Sequence, residues 1–283
     1  MTIAVYPTTL PVGAELRGVD LNVDIDDQTF AAIRAAVDQY SLLVLRDQNL
    51  SNERHVAFTR RFGPLKSPRP ESQWLVPGFP DITRMSNIIE NGKALGLQEA
   101  GQYWHTDRVY EAVPNGYAFL RSIEIPHDDQ GEPLGTTLFV STAHAYETLP
   151  EDVKKKIAGL RATHHMSNRY GKHAKAYVSH EDHLPPVSHP VVRTHPVTGR
   201  KCLYVNEQYT VGIEGMAEPD ARKLIAYLCA HITLKEFIYA HRWQVNDVLI
   251  WDDCAIQHQA IGDYQPHQRR LIQRTSVDGT VPV

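Results

Sequence analysis

An imidazole and a carboxylate lie two residues apart in the segment Trp104-His105-Thr106-Asp107, and a second imidazole, His258, lies far downstream. Side chains alternate between the two faces of an extended strand, so a strand here would project His105 and Asp107 to the same side. Two histidines and one carboxylate form the facial triad of non-haem iron enzymes, which leaves coordination positions open for other ligands and dioxygen. A metal site at these three residues is therefore the first hypothesis.

Two arginines, Arg270 and Arg274, follow His258 in a predicted strand. Because alternate strand residues share a face, both guanidinium groups are expected to reach the same cavity. The planar guanidinium group binds a carboxylate through two parallel hydrogen bonds. A metal triad with such an arginine describes a site for an iron and a dicarboxylic cosubstrate. Arg274 has a simpler alternative, because strand arginines often form surface ion pairs that contribute little energy.

Strands dominate the second half of the sequence, and helices punctuate them. Capping residues and apolar spacing predict helices that begin near Asp26, Ser51, Thr142, Glu151 and Pro219. Apolar and β-branched runs predict strands around His105 and at 14–20, 42–45, 82–86, 117–125, 136–140, 191–194, 201–205, 236–240, 248–251 and 270–277. This order favours one barrel or sandwich with peripheral helices over alternating βαβ units.

Length and composition are those of an ordinary globular protein, with 283 residues, 42% hydrophobic residues, 22% charged residues and a net charge of −4. We expect a single domain over residues 1–283, because no repeat or interdomain linker is evident. The charges are dispersed without a basic excess, which argues against a nucleic-acid partner. The sequence has no signal-peptide pattern and no apolar run of membrane-spanning length, so we expect a cytoplasmic protein without a membrane partner.

Two polar segments interrupt the regular pattern. Residues 66–103 are rich in proline, glycine and polar side chains and, apart from the strand at 82–86, are predicted to form an extended loop. A loop of this length inside a domain is usually functional, and its glycines could hinge a lid beside the metal. Residues 163–190 are polar and histidine-rich and are predicted to form an irregular insert.

Short segments along the whole chain match one family pattern. They are Gly13-Ala14-Glu15, Gly18-Val19-Asp20, Arg61-Phe62-Gly63-Pro64-Leu65, Trp104-His105-Thr106-Asp107, Gly135-Thr136-Thr137-Leu138, Ala145-Tyr146-Glu147, Trp251-Asp252-Asp253, His258 and Arg269-Arg270. In this order they resemble the taurine dioxygenase/2,4-dichlorophenoxyacetate dioxygenase (TauD/TfdA) family of Fe(II)- and 2-oxoglutarate-dependent oxygenases. The resemblance implies a mainly β fold with peripheral helices, built on a double-stranded β-helix (jelly roll, cupin-like). It further implies that His105, Asp107 and His258 bind iron, and that Thr137 and Arg270 hold the distal carboxylate of 2-oxoglutarate while its other end chelates the metal.

The resemblance also implies a reaction. Fe(II), 2-oxoglutarate and O2 would be used to oxidise a C–H bond of a small anionic organic substrate, such as a sulfonate or carboxylate, with decarboxylation of 2-oxoglutarate to succinate and CO2. Asp107 argues against halogenation, because halogenating relatives lack this carboxylate. Arg274 resembles the position that binds an anionic head group, and Tyr103, Lys93 and Arg169 are candidate substrate contacts. Relatives commonly form dimers or tetramers, so a homo-oligomer is expected.

Four alternatives remain open. The segment from His258 to Arg270 is one residue longer than the family's usual spacing, so Arg269 could anchor 2-oxoglutarate instead, although Arg270 is preferred because it shares parity with Arg274. Some relatives with a comparable lid convert N-substituted amino acids to isonitriles, so isonitrile formation or desaturation could replace hydroxylation. A zinc hydrolase could use the same three ligands. A non-catalytic jelly roll could use the arginines to bind an anion.

Overall fold

Strands provide most of the regular structure in the computed structural model, which describes residues 3–66, 74–98, 101–166 and 184–283. The strands are β1 (Ala4–Pro7), β2 (Ala14–Arg17), β3 (Leu42–Leu45), β4 (Leu75–Val76), β5 (Phe79–Ser86), β6 (Ile89–Glu90), β7 (Lys93–Ala94), β8 (Asn115–Glu124), β9 (Thr137–Ser141), β10 (Arg161–His164), β11 (Val187–Pro190), β12 (Val192–Thr194), β13 (Lys201–Leu203), β14 (Thr210–Ile213), β15 (Tyr239–His241), β16 (Val248–Asp252), β17 (Ile256–Ala260) and β18 (Leu271–Asp278). The helices are α1 (Asp27–Tyr40), α2 (Asn52–Arg60), α3 (Thr142–Glu147), α4 (Glu151–Ile157) and α5 (Glu218–Ile232), with a 3₁₀ helix at Lys235–Phe237. The predicted class, mainly β with peripheral helices, is confirmed.

Eight strands form the largest sheet, in the order β1-β2-β3-β16-β8-β18-β5-β4. At its centre, every residue of β3 and β16 is buried, as the apolar runs at 42–45 and 248–251 predict. Such continuous runs occur where both faces of a strand are covered. Neighbouring strands of this sheet are antiparallel, except for β2 and β3, which are parallel.

A three-stranded sheet, β15-β9-β17, packs on one face of the large sheet. Phe139 of β9 meets Trp251 of β16 edge to face, with ring centroids 5.6 Å apart. Ile256 of β17 and Leu249 of β16 belong to the same buried cluster. Full burial of such a side chain contributes roughly 1.5–3 kcal/mol. The cluster thereby holds β17, the strand that carries His258, against the centre of the large sheet.

Helix α1 covers the opposite face of the large sheet. Its buried residues Ile33 and Val37 pack with Leu43 and Leu45 of β3. The helix begins where the sequence predicts, because the Asp26 carboxylate accepts a hydrogen bond from the first turn. Within the described ranges, no helix combines the length and apolar character that crossing a bilayer requires.

The prediction of a strand around His105 is wrong. His105 forms a single β-bridge, and the chain then enters a turn at Asp107. Residues 236–240 are also not one strand, because they begin in the 3₁₀ helix and become extended only at Tyr239. Strands β14 and β17 lie in segments for which the sequence predicted no strand.

The two segments predicted to be irregular contain strands. Within the described part of 66–103, β4 to β7 are present, and β5 joins the large sheet. Glycine closes tight turns here rather than marking a continuous loop, since Asn91 and Gly92 both have positive φ and connect β6 to β7 as a two-residue hairpin. Likewise, β10 and β11 extend into the ends of the predicted insert 163–190, whose middle lies outside the described residues.

Two buried histidines, His55 and His164, make stability depend on pH. Burial lowers the pKa of each to about 3, from an ordinary value of 6.5. Both stay neutral in the folded protein but take up protons in the unfolded chain, so the stability present above pH 6.5 is lost as the pH falls toward 3. These two histidines together are expected to lower the free energy of unfolding by up to about 2.7 kcal/mol per pH unit near pH 5, because each takes up one proton on unfolding. Urea titrations at several pH values test this, and equal values at pH 7 and pH 5 would contradict it.

Candidate metal centre and cosubstrate pocket

His105, Asp107 and His258 converge at one point in the interior. Their ligand atoms lie within 4.8 Å of one another, and all three residues are buried. The two histidines face each other across the β-bridge, with hydrogen bonds from His105 N to His258 O (3.2 Å) and from His258 N to His105 O (3.0 Å). Their ring centroids are 4.2 Å apart. The main chain therefore sets the spacing of the two imidazoles.

Asp107 reaches this point from a turn. The residue that follows it, Arg108, has a left-handed backbone with φ of 54°. Asp107 Oδ1 lies 3.7 Å from His105 Nε2. The proximity predicted for the two side chains is present, although strand alternation does not produce it.

The donor atoms of the cluster fit a divalent metal ion. His105 Nδ1 donates to the carbonyl of Tyr103 at 2.8 Å, which leaves Nε2 as a lone-pair donor on the side of Asp107. Burial, assisted by the nearby His105, lowers the pKa of His258 to about 3, so this imidazole is neutral, the form that binds metals. Asp107 Oδ2 and His258 Nδ1 are buried and have no hydrogen-bond partner among the described residues.

Asp107 supplies negative charge to the cluster. Burial alone would raise its pKa, but nearby positive charge, chiefly that of the Arg274 guanidinium group, outweighs this effect and holds the pKa of Asp107 below its ordinary value. Arg274 Nη1 donates to Asp107 Oδ1 at 3.2 Å. Two imidazole nitrogens and one carboxylate suit a divalent transition metal such as Fe(II) or Zn(II).

A second group of metal-ligating residue types, His195, Asp252 and Cys254, is engaged in hydrogen bonds. His195 Nδ1 accepts from the backbone N–H groups of Val197 and Thr198 at 3.1 and 3.0 Å, so Nε2 carries the proton and donates to Asp252. Burial raises the pKa of Cys254 well above its ordinary value, which keeps the thiol protonated. This group therefore acts as a structural network at the turn between β16 and β17.

The guanidinium group of Arg270 is buried, and no carboxylate of the described residues is hydrogen-bonded to it. Arg270 is 7% exposed, and its Nη2 donates to the carbonyl of Gly135 at 3.4 Å. The guanidinium carbon lies 5.7 Å from the centre of the Tyr264 ring. Among the described residues, Arg270 has no hydrogen bond to a carboxylate, and its Nε has no partner. Because a buried cation with only neutral hydrogen-bond partners is costly, this position favours a carboxylate ligand.

Arg269 faces solvent instead. Its side chain is 51% exposed, its Nε donates to Glu124 Oε2 at 2.7 Å, and its Nη2 lies 3.5 Å from Glu90. Adjacent residues of an extended chain point to opposite sides. Of the two arginines considered as the anchor, Arg270 is therefore the one in the interior.

The backbone of Arg270 is fixed by the end of β5. Ser86 Oγ donates to the Arg270 carbonyl at 2.7 Å, and Arg270 N donates to Asn87 Oδ1 at 2.9 Å. A cavity beside the guanidinium group is lined by Ser86, Leu97, Gln102, Ala260 and Tyr264. The Arg270 side chain thus lies at the wall of a small pocket, on a backbone held from both sides.

Thr137 lies on the same face as His258. It pairs with Ala260 across β9 and β17, two residues along from the pair between Phe139 and His258. Its buried hydroxyl accepts a hydrogen bond from Trp243 Nε1 at 3.0 Å and keeps its own proton for donation.

The four candidate substrate contacts are placed differently. Arg274 reaches the cluster through Asp107. Tyr103 contributes its carbonyl to His105, as described above. Lys93 is exposed on the hairpin formed by β6 and β7. Arg169 lies outside the described residues.

Sequence reasoning missed several residues around the cluster. The Tyr209 ring lies 6.1 Å from that of His105, and the Tyr110 ring lies 4.9 Å from that of Tyr209, measured between centroids. A Cβ at Gly101 would lie 3.0 Å from His105 Cε1, so this backbone packs directly on the imidazole. The position of Tyr110, three residues after Asp107, was a usable signal, whereas Tyr209 arrives through tertiary structure.

The chain matches the family model described as "Taurine catabolism dioxygenase TauD, TfdA family" over residues 4–276. It is 29% identical over 296 residues to the α-ketoglutarate-dependent 2,4-dichlorophenoxyacetate dioxygenase of Cupriavidus pinatubonensis, covering 99% of this chain and 100% of that protein. It is 31% identical over 299 residues to the α-ketoglutarate-dependent sulfate ester dioxygenase of Pseudomonas putida, covering 100% of this chain and 92% of that protein.

A solved structure is also similar to this chain over its full length. The crystal structure of AAD-2 in complex with Mn(II) and N-oxalylglycine is similar to this chain with a TM-score of 0.83 and 27% identity, covering 100% of this chain and 99% of that chain. Mn(II) and N-oxalylglycine are mimics of the Fe(II) and 2-oxoglutarate that the family uses together with O2. The family match over nearly the full length shows that the chain belongs to the TauD/TfdA family of 2-oxoglutarate-dependent dioxygenases.

Proposed function

We propose that this protein is an Fe(II)- and 2-oxoglutarate-dependent dioxygenase that oxidises a C–H bond of a small anionic organic substrate, with decarboxylation of 2-oxoglutarate to succinate and CO2. The observation that carries the proposal is a cluster of three buried metal donors, His105, Asp107 and His258, together with a buried Arg270 that has no carboxylate hydrogen bond among the described residues. The family match favours this function over a zinc hydrolase or a non-catalytic jelly roll.

In this proposal His105, Asp107 and His258 bind Fe(II), which supplies oxygen activation when bound. The chain's own contribution is to hold these donors in fixed geometry. His258 packs against Trp251 and Phe139, with ring centroids 4.8 and 5.9 Å away, so its imidazole has little freedom and water is excluded from that side. The Asp107 carboxylate balances part of the metal's charge.

Arg270 and Thr137 are proposed to hold the distal carboxylate of 2-oxoglutarate. The guanidinium group would donate two hydrogen bonds in its planar fork, and the Thr137 hydroxyl would donate its free proton. Tyr264 lies beside the guanidinium group and forms another wall of the cavity. The dicarboxylic cosubstrate would in this way be oriented before its other end reaches the metal, which favours reaction through positioning.

The Gly135→Ala variant is expected to weaken 2-oxoglutarate binding. Gly135 has a φ of 73°, and a Cβ there would lie 2.7 Å from Arg270 Nε, so the guanidinium group must shift. We expect the KM for 2-oxoglutarate to rise about 10-fold or more, because a displacement of about 1 Å can cost on the order of 100-fold. Gly131→Ala is the matched control, since Gly131 has a φ of 82° and a Cβ there meets no atom within 4 Å. Equal KM values in the two variants would contradict the proposed anchor.

We also propose that the two packed sheets form a double-stranded β-helix (jelly roll), and that residues 1–283 are one domain with a lid within 66–103. The described part of the lid supports this arrangement. Leu97 N donates to Arg84 O at 2.8 Å, which attaches the segment to β5. A Cβ at Gly96 would lie 2.7 Å from Arg84 O, so glycine allows the close approach. The base of the lid is therefore fixed beside the cosubstrate pocket.

A sulfonate, carboxylate or sulfate ester is proposed as the substrate. The relatives named for 2,4-dichlorophenoxyacetate and for sulfate esters both act on compounds with an acidic group. The Arg274 side chain is 22% exposed, and one of its nitrogens donates to Asp107, so the guanidinium group has further donors for such a group. Tyr103, Lys93 and Arg169 remain candidate contacts. Isonitrile formation or desaturation is the second outcome available at the same iron site.

Succinate release tests both the reaction and the substrate class. With Fe(II), 2-oxoglutarate and O2, we expect at least one member of a panel of sulfonates, phenoxyacetates, sulfate esters and N-carboxymethyl amino acids to accelerate succinate formation, and its neutral ester to fail. Anaerobic addition of Fe(II) and 2-oxoglutarate is expected to give a visible metal-to-ligand charge-transfer band. A protein without this band and without succinate formation would contradict the proposed function.

A further inference from the structure

Glu111 lies at the centre of a charged network next to the turn that carries Asp107. We propose that Glu111, together with Lys66, is the positioning residue that fixes this turn and so determines metal affinity. Glu111 Oε1 accepts from Arg108 Nη1 at 2.8 Å, and Glu111 Oε2 lies 2.9 Å from Lys66 Nζ. Glu111 does not belong to the metal cluster, so its effect on the metal is exerted through Asp107. The inference rests on the proposed metal site.

The backbone of the turn needs such support. Arg108, directly after Asp107, has a φ of 54°, a conformation that non-glycine residues keep only where their surroundings hold it. Glu111 N donates to Arg108 O at 2.9 Å and closes the turn. From the other side, His189 Nε2 donates to the carbonyl of Glu111 at 3.0 Å. The main chain and the side chain of Glu111 thus both hold the strained residue.

Lys66 connects this network to the large sheet. Its Nζ lies 3.0 Å from Asp278 Oδ1 at the end of β18 and donates to the carbonyl of Val113 at 2.7 Å. The side chains of Lys66, Arg108 and Glu111 are only 11%, 17% and 18% exposed, so water screens their charges less than it would at an open surface.

Asp107 is therefore held at two points. Arg274, also on β18, fixes its carboxylate at 3.2 Å, while the Glu111 network fixes the backbone that follows. Both restraints begin on the same strand, which makes the position of Asp107 relative to the two histidines a property of the sheet. Loss of the second restraint would allow the turn to relax and the carboxylate to move. Changes in residues that orient metal ligands typically cost about 10- to 100-fold in metal affinity.

A cobalt(II) titration of the full-length metal-free protein tests the inference. Visible ligand-field absorption reports both the dissociation constant and the coordination geometry. We expect Glu111→Ala to raise the dissociation constant for Co(II) about 10-fold or more and to change the band shape. Glu111→Gln keeps an acceptor for Arg108 but loses the carboxylate oxygen that faces Lys66, so its dissociation constant is expected to lie between those of the unmodified protein and Glu111→Ala. The control is Glu147→Ala, which removes a more exposed tertiary ion pair between Glu147 on α3 and Arg200, 2.9 Å apart.

Two outcomes would overturn the inference. One is a Glu111→Ala protein with unchanged Co(II) affinity and spectrum, whatever its melting temperature, because a purely structural role would move only the latter. The other is an equal loss of affinity in Glu147→Ala. The proposed function fails separately, because in that case His105→Ala would bind Co(II) as tightly as the unmodified protein. If His105→Ala loses the metal while Glu111→Ala does not, the metal site stands and the positioning role falls.

Discussion

The His258→Ala variant is expected to bind Fe(II) at least about 100-fold more weakly and to lose succinate formation with it. Substitution of a residue that only orients a metal ligand typically lowers metal affinity by about 10- to 100-fold, so loss of a ligand itself should lower it further. The remaining pair, His105 and Asp107, offers two donors on one segment of chain and no donor from β17. Metal binding followed by calorimetry, and succinate measured at increasing Fe(II), give the two readouts.

Folding must be checked for this variant, because His258 packs between Trp251 and Phe139 and its removal leaves a cavity. Circular dichroism and the melting temperature report that loss independently of the metal. His231→Ala is a suitable control, since His231 lies on α5 and donates to the carbonyl of Ala145 instead. A folded His258→Ala protein that binds Fe(II) as tightly as this control would disprove the assignment.

Arg270→Ala is expected to raise the dissociation constant for 2-oxoglutarate at least about 30-fold, whereas Arg269→Ala should change it by less than about 3-fold. Removing one partner of a buried, hydrogen-bonded charge pair costs about 2–5 kcal/mol, whereas an exposed ion pair, which water screens, contributes much less. Arg269 is of the exposed kind, with Glu124 and Glu90 as its partners. The two adjacent arginines therefore serve as each other's controls, in anaerobic titrations with Fe(II) present.

Arg270→Lys separates charge from geometry. Lysine keeps a positive charge but loses the planar fork that binds both oxygens of a carboxylate. We expect its affinity for 2-oxoglutarate to lie between those of the unmodified protein and Arg270→Ala, with most of kcat restored at saturating 2-oxoglutarate. A larger effect in Arg269→Ala than in Arg270→Ala would reverse the assignment of the anchor.

Residue types indicated the site more reliably than the predicted backbone did. His105 and Asp107 lie in one cluster, but a turn rather than a strand brings them together, because Arg108 adopts a left-handed conformation. Arg274 lies on β18, as predicted, whereas Arg270 directly precedes this strand. Arg270 lines the small pocket and Arg274 instead contacts Asp107, so a single cavity shared by both guanidinium groups stays a prediction.

Other features depended on contacts that a single sequence does not display. Strand β17 was missed because its sequence, Ile-Gln-His-Gln-Ala, contains two polar glutamines where an apolar run is expected. One of them, Gln257, is buried, and its side-chain amide donates a hydrogen bond to the carbonyl of Val205 at 2.6 Å. The pairing of Lys66 with Glu111 joins residues from distant parts of the chain, and local periodicity carries no information about such pairs. Contacts between charged residues that are distant in the sequence were therefore the main feature that the sequence did not predict.

The reciprocal backbone bonds between His105 and His258 link metal capture to local unfolding. Ala260 N also donates to Gly101 O at 2.7 Å, so three main-chain hydrogen bonds hold the segment 101–105 against β17. Peeling this segment away would pull the imidazoles apart, and an ion shared by them would oppose the peeling. Whatever binds only the closed arrangement stabilises it by mass action. We therefore expect hydrogen exchange at the amides of His105, His258 and Ala260 to become slower as the metal site is filled.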